Sequence, residues 1–367
     1  MECIRGLAIL LVFLFHVYGI SSGGQGNPPS FLMSFVVSGN TGVTLFFVLS
    51  GFLLSRPWLI ALRDGPGLMP GIKNYYIARI LRVLPLYYVF VLFAALMTGN
   101  WPAAAEAFAF SYVGFEIFPY SVIWWTLSTE VQFYLLLPLA FYGWAMGKWL
   151  RVLLGASLLL WLFCYLRFVI LDNPAIADNF FLSKSLFARL PAFLLGIGAC
   201  WVHLRCEHWH SAAADSPRAR VGALALALTT LMLLGLVLQS AALMTDRVAE
   251  LNWHIHHSLE AALWAALLLI LLLGKPLGAA ALLNRPMAII GKLSYSIYLN
   301  HVPILFFLIY PVRESLGQAQ YLDSAWVYAI PLVALLASTL SAYVTYRLIE
   351  LPFLNIKHRL PVLAAKQ

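Results

Sequence analysis

Long apolar segments recur along the whole chain, and they constrain its fold more than any other feature. Each is close to the length of about 20 residues that crosses a bilayer as a helix. Ten such spans are predicted, at residues 4–20, 41–62, 77–98, 122–146, 151–171, 186–204, 220–239, 257–274, 287–310 and 325–348. Strands of a membrane barrel would alternate apolar and polar residues, and these segments do not. The sequence therefore predicts an all-α, polytopic integral membrane protein with about ten transmembrane helices.

The composition supports the same fold class. Apolar residues make up 62% of the 367 residues and charged residues only 10%, whereas soluble domains have about 45–50% and about 25%. We expect one transmembrane domain over residues 1–350 and a short cytoplasmic tail over 351–367. The first apolar segment lacks a basic leader, which favours a retained span over a signal peptide. The four cysteines have neither metal-ligand nor disulfide spacing, so no metal is expected.

Lysine and arginine predict the orientation of the spans. With a cytoplasmic N-terminus, 18 of the 23 basic residues fall on the cytoplasmic side. Both termini are therefore predicted to be cytoplasmic. The net charge of +8 then describes a basic cytoplasmic face, which suits anionic membrane lipids or a phosphorylated cytosolic ligand and gives no support for nucleic-acid binding.

Two ionisable residues share one face of the first span. Arg5 and His16 are eleven residues apart, which places the imidazole about 16 Å deeper than the guanidinium on the same side of a helix. Ionisable side chains inside a membrane are costly and usually functional. The alternative is a structural one, in which the histidine is hydrogen-bonded inside the bundle and the arginine anchors the interface.

Further ionisable groups are predicted at matching depths. Arg79 and Arg82 lie three residues apart at the cytoplasmic start of the third span, so both could hold a phosphate, although ordinary interfacial anchoring predicts them equally well. Glu130 lies about 12 Å below the opposite surface and needs a partner there. His16 and His301 are the candidates, because both reach the middle of their spans. A histidine beside a carboxylate is typical of general-base catalysis.

These segments together resemble the acyltransferase 3 family of bacterial membrane O-acyltransferases. The resemblance covers nearly the whole chain. It depends on the order and spacing of six motifs, ECIRGLAILLVFLFH, FFVLSGFLLS, ARILRVLPLYY, WTLSTEVQFYLLLPL, LSYSIYLNHVP and YRLIELPF. The family often has Asp, a small residue and Leu or Ile before the first arginine, where this chain has Glu2, Cys3 and Ile4.

The resemblance implies transfer of an acyl group, with acetyl expected, from cytosolic acyl-CoA to a hydroxyl of a cell-surface glycan or its lipid-linked precursor. It implies location in the bacterial inner membrane. Arg5, Arg79 and Arg82 match the arginines assigned to the CoA phosphates. His16 matches the essential histidine, acting as a base or as a covalent acyl carrier, and Glu130 the acidic position that would orient it or balance its charge.

Other residues are expected near the substrate. Tyr295, Tyr298 and His301 match the ninth-span motif, with packing or substrate positioning as roles. The pair Trp124 and Trp125 is predicted first to anchor the outer aromatic belt and second to stack on a sugar. Many relatives carry an additional extra-cytoplasmic hydrolase-like domain that is missing from this sequence. Either the membrane domain completes the transfer, or a separate periplasmic protein does.

Some residues receive mainly structural interpretations. Ser50 and Gly51 are predicted to allow close helix approach, and the histidines of HLRCEHWH and NWHIHHSLE to lie in solvated loops. Two rival functions stay open. One is a proton-coupled transporter or flippase with a His/Glu relay, although no related halves are visible. The other is acyl transfer to a small molecule such as a macrolide.

Overall fold

The structure, a computed structural model, describes residues 1–23, 30–65, 68–167, 180–206, 216–243 and 253–359. No strand occurs in these ranges. Sixteen α-helices account for most of them: α1 Glu2–Ser22, α2 Phe31–Val37, α3 Thr41–Asp64, α4 Ile72–Thr98, α5 Trp101–Phe108, α6 Trp125–Met146, α7 Lys148–Cys164, α8 Phe180–Lys184, α9 Leu186–Cys206, α10 Pro217–Ala242, α11 Trp253–Leu269, α12 Arg285–Lys292, α13 Ser294–Leu316, α14 Gln318–Asp323, α15 Trp326–Thr345 and α16 Leu351–Arg359.

Nine helices in the described part of the chain are long and apolar enough to cross a membrane. They correspond to nine of the ten predicted spans, so the chain is an all-α polytopic membrane protein. The predicted span 122–146 corresponds to α6, a helix of 22 residues. It is not among the nine because polar residues, Glu130 and Gln132 among them, lower its mean hydropathy.

Two boundaries differ from the sequence prediction. The predicted ninth span, 287–310, is broken, because Leu293 leaves the helical conformation between α12 and α13. Gly291 just before the break packs against the carbonyl of Glu2, where a side chain would not fit. At the end of the chain, the helix predicted to stop near residue 348 continues through a π-helical turn, Tyr346–Glu350, into α16. Residues 360–367 of the predicted tail lie outside the described residues.

Contacts between helices divide the chain into two compact units, each built from separate segments. The first comprises Met1–Phe15, Asn27–Met69 and Leu139–Gly291. Its centre is the crossing of α3 and α9, where Gly51 contacts the backbone of Phe193 and Gly196 contacts the backbone of Val48. Phe47 stacks on Phe193 beside this crossing, with ring centroids 4.7 Å apart. The close approach predicted for Gly51 is confirmed.

The second unit comprises His16–Gly26, Pro70–Pro138 and Lys292–Gln367. Its described helices are held together mainly by α13. The Asn300 amide of α13 donates to the Ser338 carbonyl of α15 at 3.1 Å. At its far end, Arg313 donates to the carbonyl of Ile20 at 2.6 Å. That bond satisfies one of the carbonyls left without a partner at the end of α1.

Candidate active site

Two histidines from distant parts of the sequence meet in the second unit. His16 of α1 is half-buried, and His301 of α13 is fully buried. Their nearest ring nitrogens, His16 Nδ1 and His301 Nε2, are 3.2 Å apart, which is hydrogen-bond distance. The rings are edge to face, with an interplanar angle of 74°. The structure thus brings together two residues that the sequence placed at one depth.

Glu130 has a hydroxyl partner. Tyr134, one turn further along α6, donates to Glu130 Oε2 at 2.8 Å. The sequence had named the two histidines as candidate partners for Glu130. The structure gives this carboxylate the hydroxyl of Tyr134 and brings the two histidines together. The rotation of each helix about its axis, which decides the partner, could not be predicted from the sequence.

Arg79 lies beside the same tyrosine. Its guanidinium carbon is 6.0 Å from the centroid of the Tyr134 ring, a cation–π distance. Its Nε atom is buried and has no hydrogen-bond partner among the described residues. A buried guanidinium N–H group of this kind is suited to bind a phosphate or carboxylate ligand, since such anions accept two parallel hydrogen bonds from arginine.

Arg82, one turn beyond Arg79 on α4, acts electrostatically on Glu350. Glu350 is 3% exposed and accepts a hydrogen bond from Ser296 of α13. Sequence reasoning did not single out Glu350, although the motif YRLIELPF contains it. The signal that could have found it is a carboxylate inside an apolar run, where burial is costly without a partner.

The two tyrosines of the ninth-span motif connect helices. Tyr298 Oη lies 2.8 Å from Thr126 Oγ1 and donates to the carbonyl of Ile123 at 3.2 Å. Tyr295 donates to the carbonyl of Val83 at 2.7 Å, two residues before Pro85 of α4. These bonds join α13 to the start of α6 and to α4. The packing role that the sequence left open for both tyrosines has direct structural support.

Trp124 is 1% exposed, and its ring meets Tyr87 edge to face. The interfacial anchor predicted from the sequence is therefore wrong, because an anchoring tryptophan presents its ring to lipid. The indole Nε1 is buried, with no hydrogen-bond partner among the described residues. The substrate-contacting role stays a prediction.

Arg5 belongs to the first unit. Its Nη1 lies 3.0 Å from Glu2 Oε1, and both side chains are partly exposed. An exposed pair of this kind contributes little to stability. No group of three or more potential metal ligands occurs in the ranges that the structure describes.

Sequence reasoning missed a buried polar cluster in the first unit. Glu260 of α11 is 2% exposed and accepts a hydrogen bond from Thr44 of α3 at 3.2 Å. His257, one turn earlier, lies 3.6 Å from the same carboxylate. The solvated loop predicted for NWHIHHSLE is wrong, because residues from Trp253 onward are helical and His257 is buried. His208 and His210 of the other histidine-rich segment lie outside the described residues.

The second unit therefore holds an imidazole pair, a carboxylate–phenol pair and two arginines. A neutral imidazole can take a proton from a hydroxyl or attack a carbonyl carbon. Guanidinium groups can hold an anionic cosubstrate. A neutral imidazole beside anion-binding arginines is suited to acyl transfer from an anionic donor.

Comparison with known proteins agrees with this chemistry. A family model described as an acyltransferase domain matches residues 1–347. No curated protein and no solved structure matches the chain.

Proposed function

We propose a function for this chain, which belongs to the acyltransferase 3 family. It moves an acetyl group from cytosolic acetyl-CoA to a hydroxyl of a cell-surface glycan or its lipid-linked precursor. The chain is a multi-pass membrane acyltransferase. We further propose that it lies in the bacterial inner membrane. Family membership favours acyl transfer over the rival transporter.

The donor assignment is supported by the arginines. Arg79 and Arg82 occupy successive turns of α4, three residues apart, and therefore share a face. The buried Nε of Arg79 supplies a donor suited to a phosphate oxygen. Arg5 is the third arginine that the family resemblance assigns to the CoA phosphates. Acetyl-CoA, when bound, supplies the thioester.

The contact between His16 and His301 is the observation that carries the catalytic proposal. His16 takes the proton of the acceptor hydroxyl while the hydroxyl oxygen attacks the thioester carbonyl carbon. The carbon–sulfur bond then breaks, and the CoA thiolate recovers that proton from the imidazolium. Glu130, close enough to Arg79 for both to act electrostatically on Tyr134, balances the positive charge that the arginines bring.

The proposed acceptor, a glycan or lipid-linked saccharide, carries hydroxyl groups that can hydrogen-bond to the hydroxyl and amide side chains around α13. The residues proposed to lie beside this acceptor are Trp124, Tyr295, Tyr298 and His301. Where the finished glycan lies outside the membrane, a separate periplasmic protein completes the transfer.

The test uses purified protein in nanodiscs with radiolabelled acetyl-CoA and a membrane glycan extract. CoA release and labelled glycan are measured for the wild type, for His16→Ala and for Leu14→Ala. Leu14 lies two residues earlier on α1 and is 41% exposed, so its variant controls for substitution in this helix.

We expect glycan-dependent CoA release by the wild type and by Leu14→Ala, with loss in His16→Ala. A folded wild-type protein that neither binds nor consumes acetyl-CoA would show that the donor is wrong. CoA release with no label in the glycan fraction would show that the acceptor is wrong.

A further inference from the structure

We infer that His301 is a positioning residue that fixes the tautomer of His16, by accepting a hydrogen bond from His16 Nδ1–H. Neutral His16 then carries its lone pair on Nε2, which is the atom that reacts. The inference deepens the proposed function and rests on it for its catalytic meaning. The tautomer itself can be measured without turnover.

His301 contacts two backbone carbonyl oxygens through its other ring nitrogen. Its Nδ1 lies 2.8 Å from the carbonyl oxygen of Tyr298 and 3.1 Å from that of Ile297. Carbonyl oxygens only accept hydrogen bonds, so a contact at this distance requires a hydrogen on Nδ1. Both carbonyls belong to the preceding turn of α13, which fixes this donor within the helix.

The surroundings of His301 favour its neutral form. The side chain is fully buried, and burial disfavours an ionised ring because it loses its solvation. A neutral histidine has one N–H and one lone pair. With the hydrogen on Nδ1, the lone pair of His301 lies on Nε2, the nitrogen that faces His16.

The tautomer of His16 follows from the position of this lone pair. The Nδ1 atom of His16 is 3.2 Å from the nitrogen that carries it, so Nδ1 of His16 is the donor. Neutral His16 therefore has its lone pair on Nε2. When Nε2 takes a proton, Nδ1–H still donates to His301, and the bond strengthens because its donor becomes charged. Both roles that the sequence left open for His16, base and acyl carrier, use the same Nε2 lone pair.

This arrangement assigns to a buried neutral imidazole the task that a carboxylate has in a catalytic triad, namely holding one ring in one tautomer and orientation. Loss of such an orienting partner typically costs about 10–100-fold in activity at metal-bound histidines, where the geometry is comparable. The loss belongs in kcat and not in the KM of acetyl-CoA, since the proposed donor contacts are the arginines.

The experiment compares His301→Leu, which removes the acceptor, with His301→Gln, whose amide oxygen can accept the same hydrogen bond. His256→Leu in the first unit is the control for loss of a histidine. Each protein is assayed in nanodiscs for kcat and for KM of acetyl-CoA. Wild-type protein with ¹⁵N-labelled histidine is examined by NMR, and the His16 signals are assigned by their loss in His16→Asn.

We expect His301→Leu to lower kcat about 10–100-fold with unchanged KM, His301→Gln to recover most of the loss, and His256→Leu to match the wild type. The ¹⁵N spectrum should show His16 protonated on Nδ1 and unprotonated on Nε2. Equal losses in the Leu and Gln variants, or wild-type kcat in the Leu variant, would overturn the inference.

The NMR result separates failure of this inference from failure of the proposed function. If the wild type does not consume acetyl-CoA, the proposed function fails, yet the spectrum still decides the tautomer. A hydrogen on Nε2 of neutral His16 overturns the inference whatever the activity. If a leucine at residue 301 prevents folding, the Gln variant and the wild-type spectrum still give the answer.

Discussion

Alanine substitution at the crossing of α3 and α9 should destabilise the first unit. A Cβ atom added to Gly51 would lie 2.2 Å from the carbonyl oxygen of Phe193, and one added to Gly196 would lie 2.1 Å from that of Val48. Real Cβ contacts essentially never fall below 3.0 Å. The clashing atoms belong to the backbone, so the helices themselves must separate.

The magnitude follows from that separation. Reaching even the 3.0 Å limit of real Cβ contacts requires a shift of almost 1 Å, and a gap of about 0.5–1 Å forfeits a quarter to a half of the dispersion energy of each contact that it opens. The stacked pair Phe47 and Phe193 lies beside the crossing and would be loosened. Overpacking of this kind costs about 1–3 kcal/mol, which we expect for Gly51→Ala and for Gly196→Ala.

The same helix offers a matched control. A Cβ atom added to Gly198, two residues after Gly196, meets nothing within 4 Å. Gly198→Ala should therefore be neutral or stabilising by up to about 1 kcal/mol, since alanine is the better helix former. The double variant Gly51→Ala with Gly196→Ala should lose less than the sum of the single losses, because one separation relieves both clashes.

The assay is reversible unfolding in mixed micelles, followed by tryptophan fluorescence as the denaturing detergent is increased. Free energies of unfolding are compared among the three single variants and the double variant. If Gly196→Ala falls within about 0.5 kcal/mol of Gly198→Ala, the spread typical of surface substitutions, the argument from close backbone contact is refuted.

Three further predictions concern single groups. Arg79→Gln should raise the KM for acetyl-CoA about tenfold or more, which is the effect of losing one charge-assisted hydrogen bond. Lys73→Gln, at the exposed start of the same helix, should leave this KM unchanged, and steady-state kinetics checks both variants. Glu260→Gln should lower the free energy of unfolding by about 1–3 kcal/mol through its buried hydrogen bonds, and a stability equal to wild type would contradict this. Thr126→Val should cost about 1 kcal/mol, and a double-mutant cycle with Tyr298→Phe should show coupling; strict additivity would mean that the two hydroxyls do not interact.

The level of a residue along its helix was largely predictable from the sequence. Apolar runs of about 20 residues define the spans, and a rise of 1.5 Å per residue fixes how far each residue lies along its helix. His16 and His301 were assigned to the same level in this way, and their rings do meet. The face shared by Arg79 and Arg82 follows equally directly from their spacing of three.

Partner choice was decided only by the tertiary structure. A membrane helix is apolar on nearly every side, so its sequence pattern does not tell which face meets which neighbour. Glu130 was correctly recognised as a carboxylate in need of a partner, but the hydroxyl of Tyr134 was not foreseen. Glu260 was missed altogether, because the segment NWHIHHSLE that ends with it was interpreted as a solvated loop and its partner Thr44 is 216 residues away.

The sequence by itself thus determined that the chain is an all-α membrane protein, and its motifs identified the family. Only the fold decided that His301 faces His16, that Leu293 interrupts the ninth span, and that two separate units form. The physical reason is that the hydropathy of a segment depends only on its own residues. Side-chain packing and hydrogen bonding join helices that are far apart in the sequence, and no local pattern tells which residues of two such helices will meet.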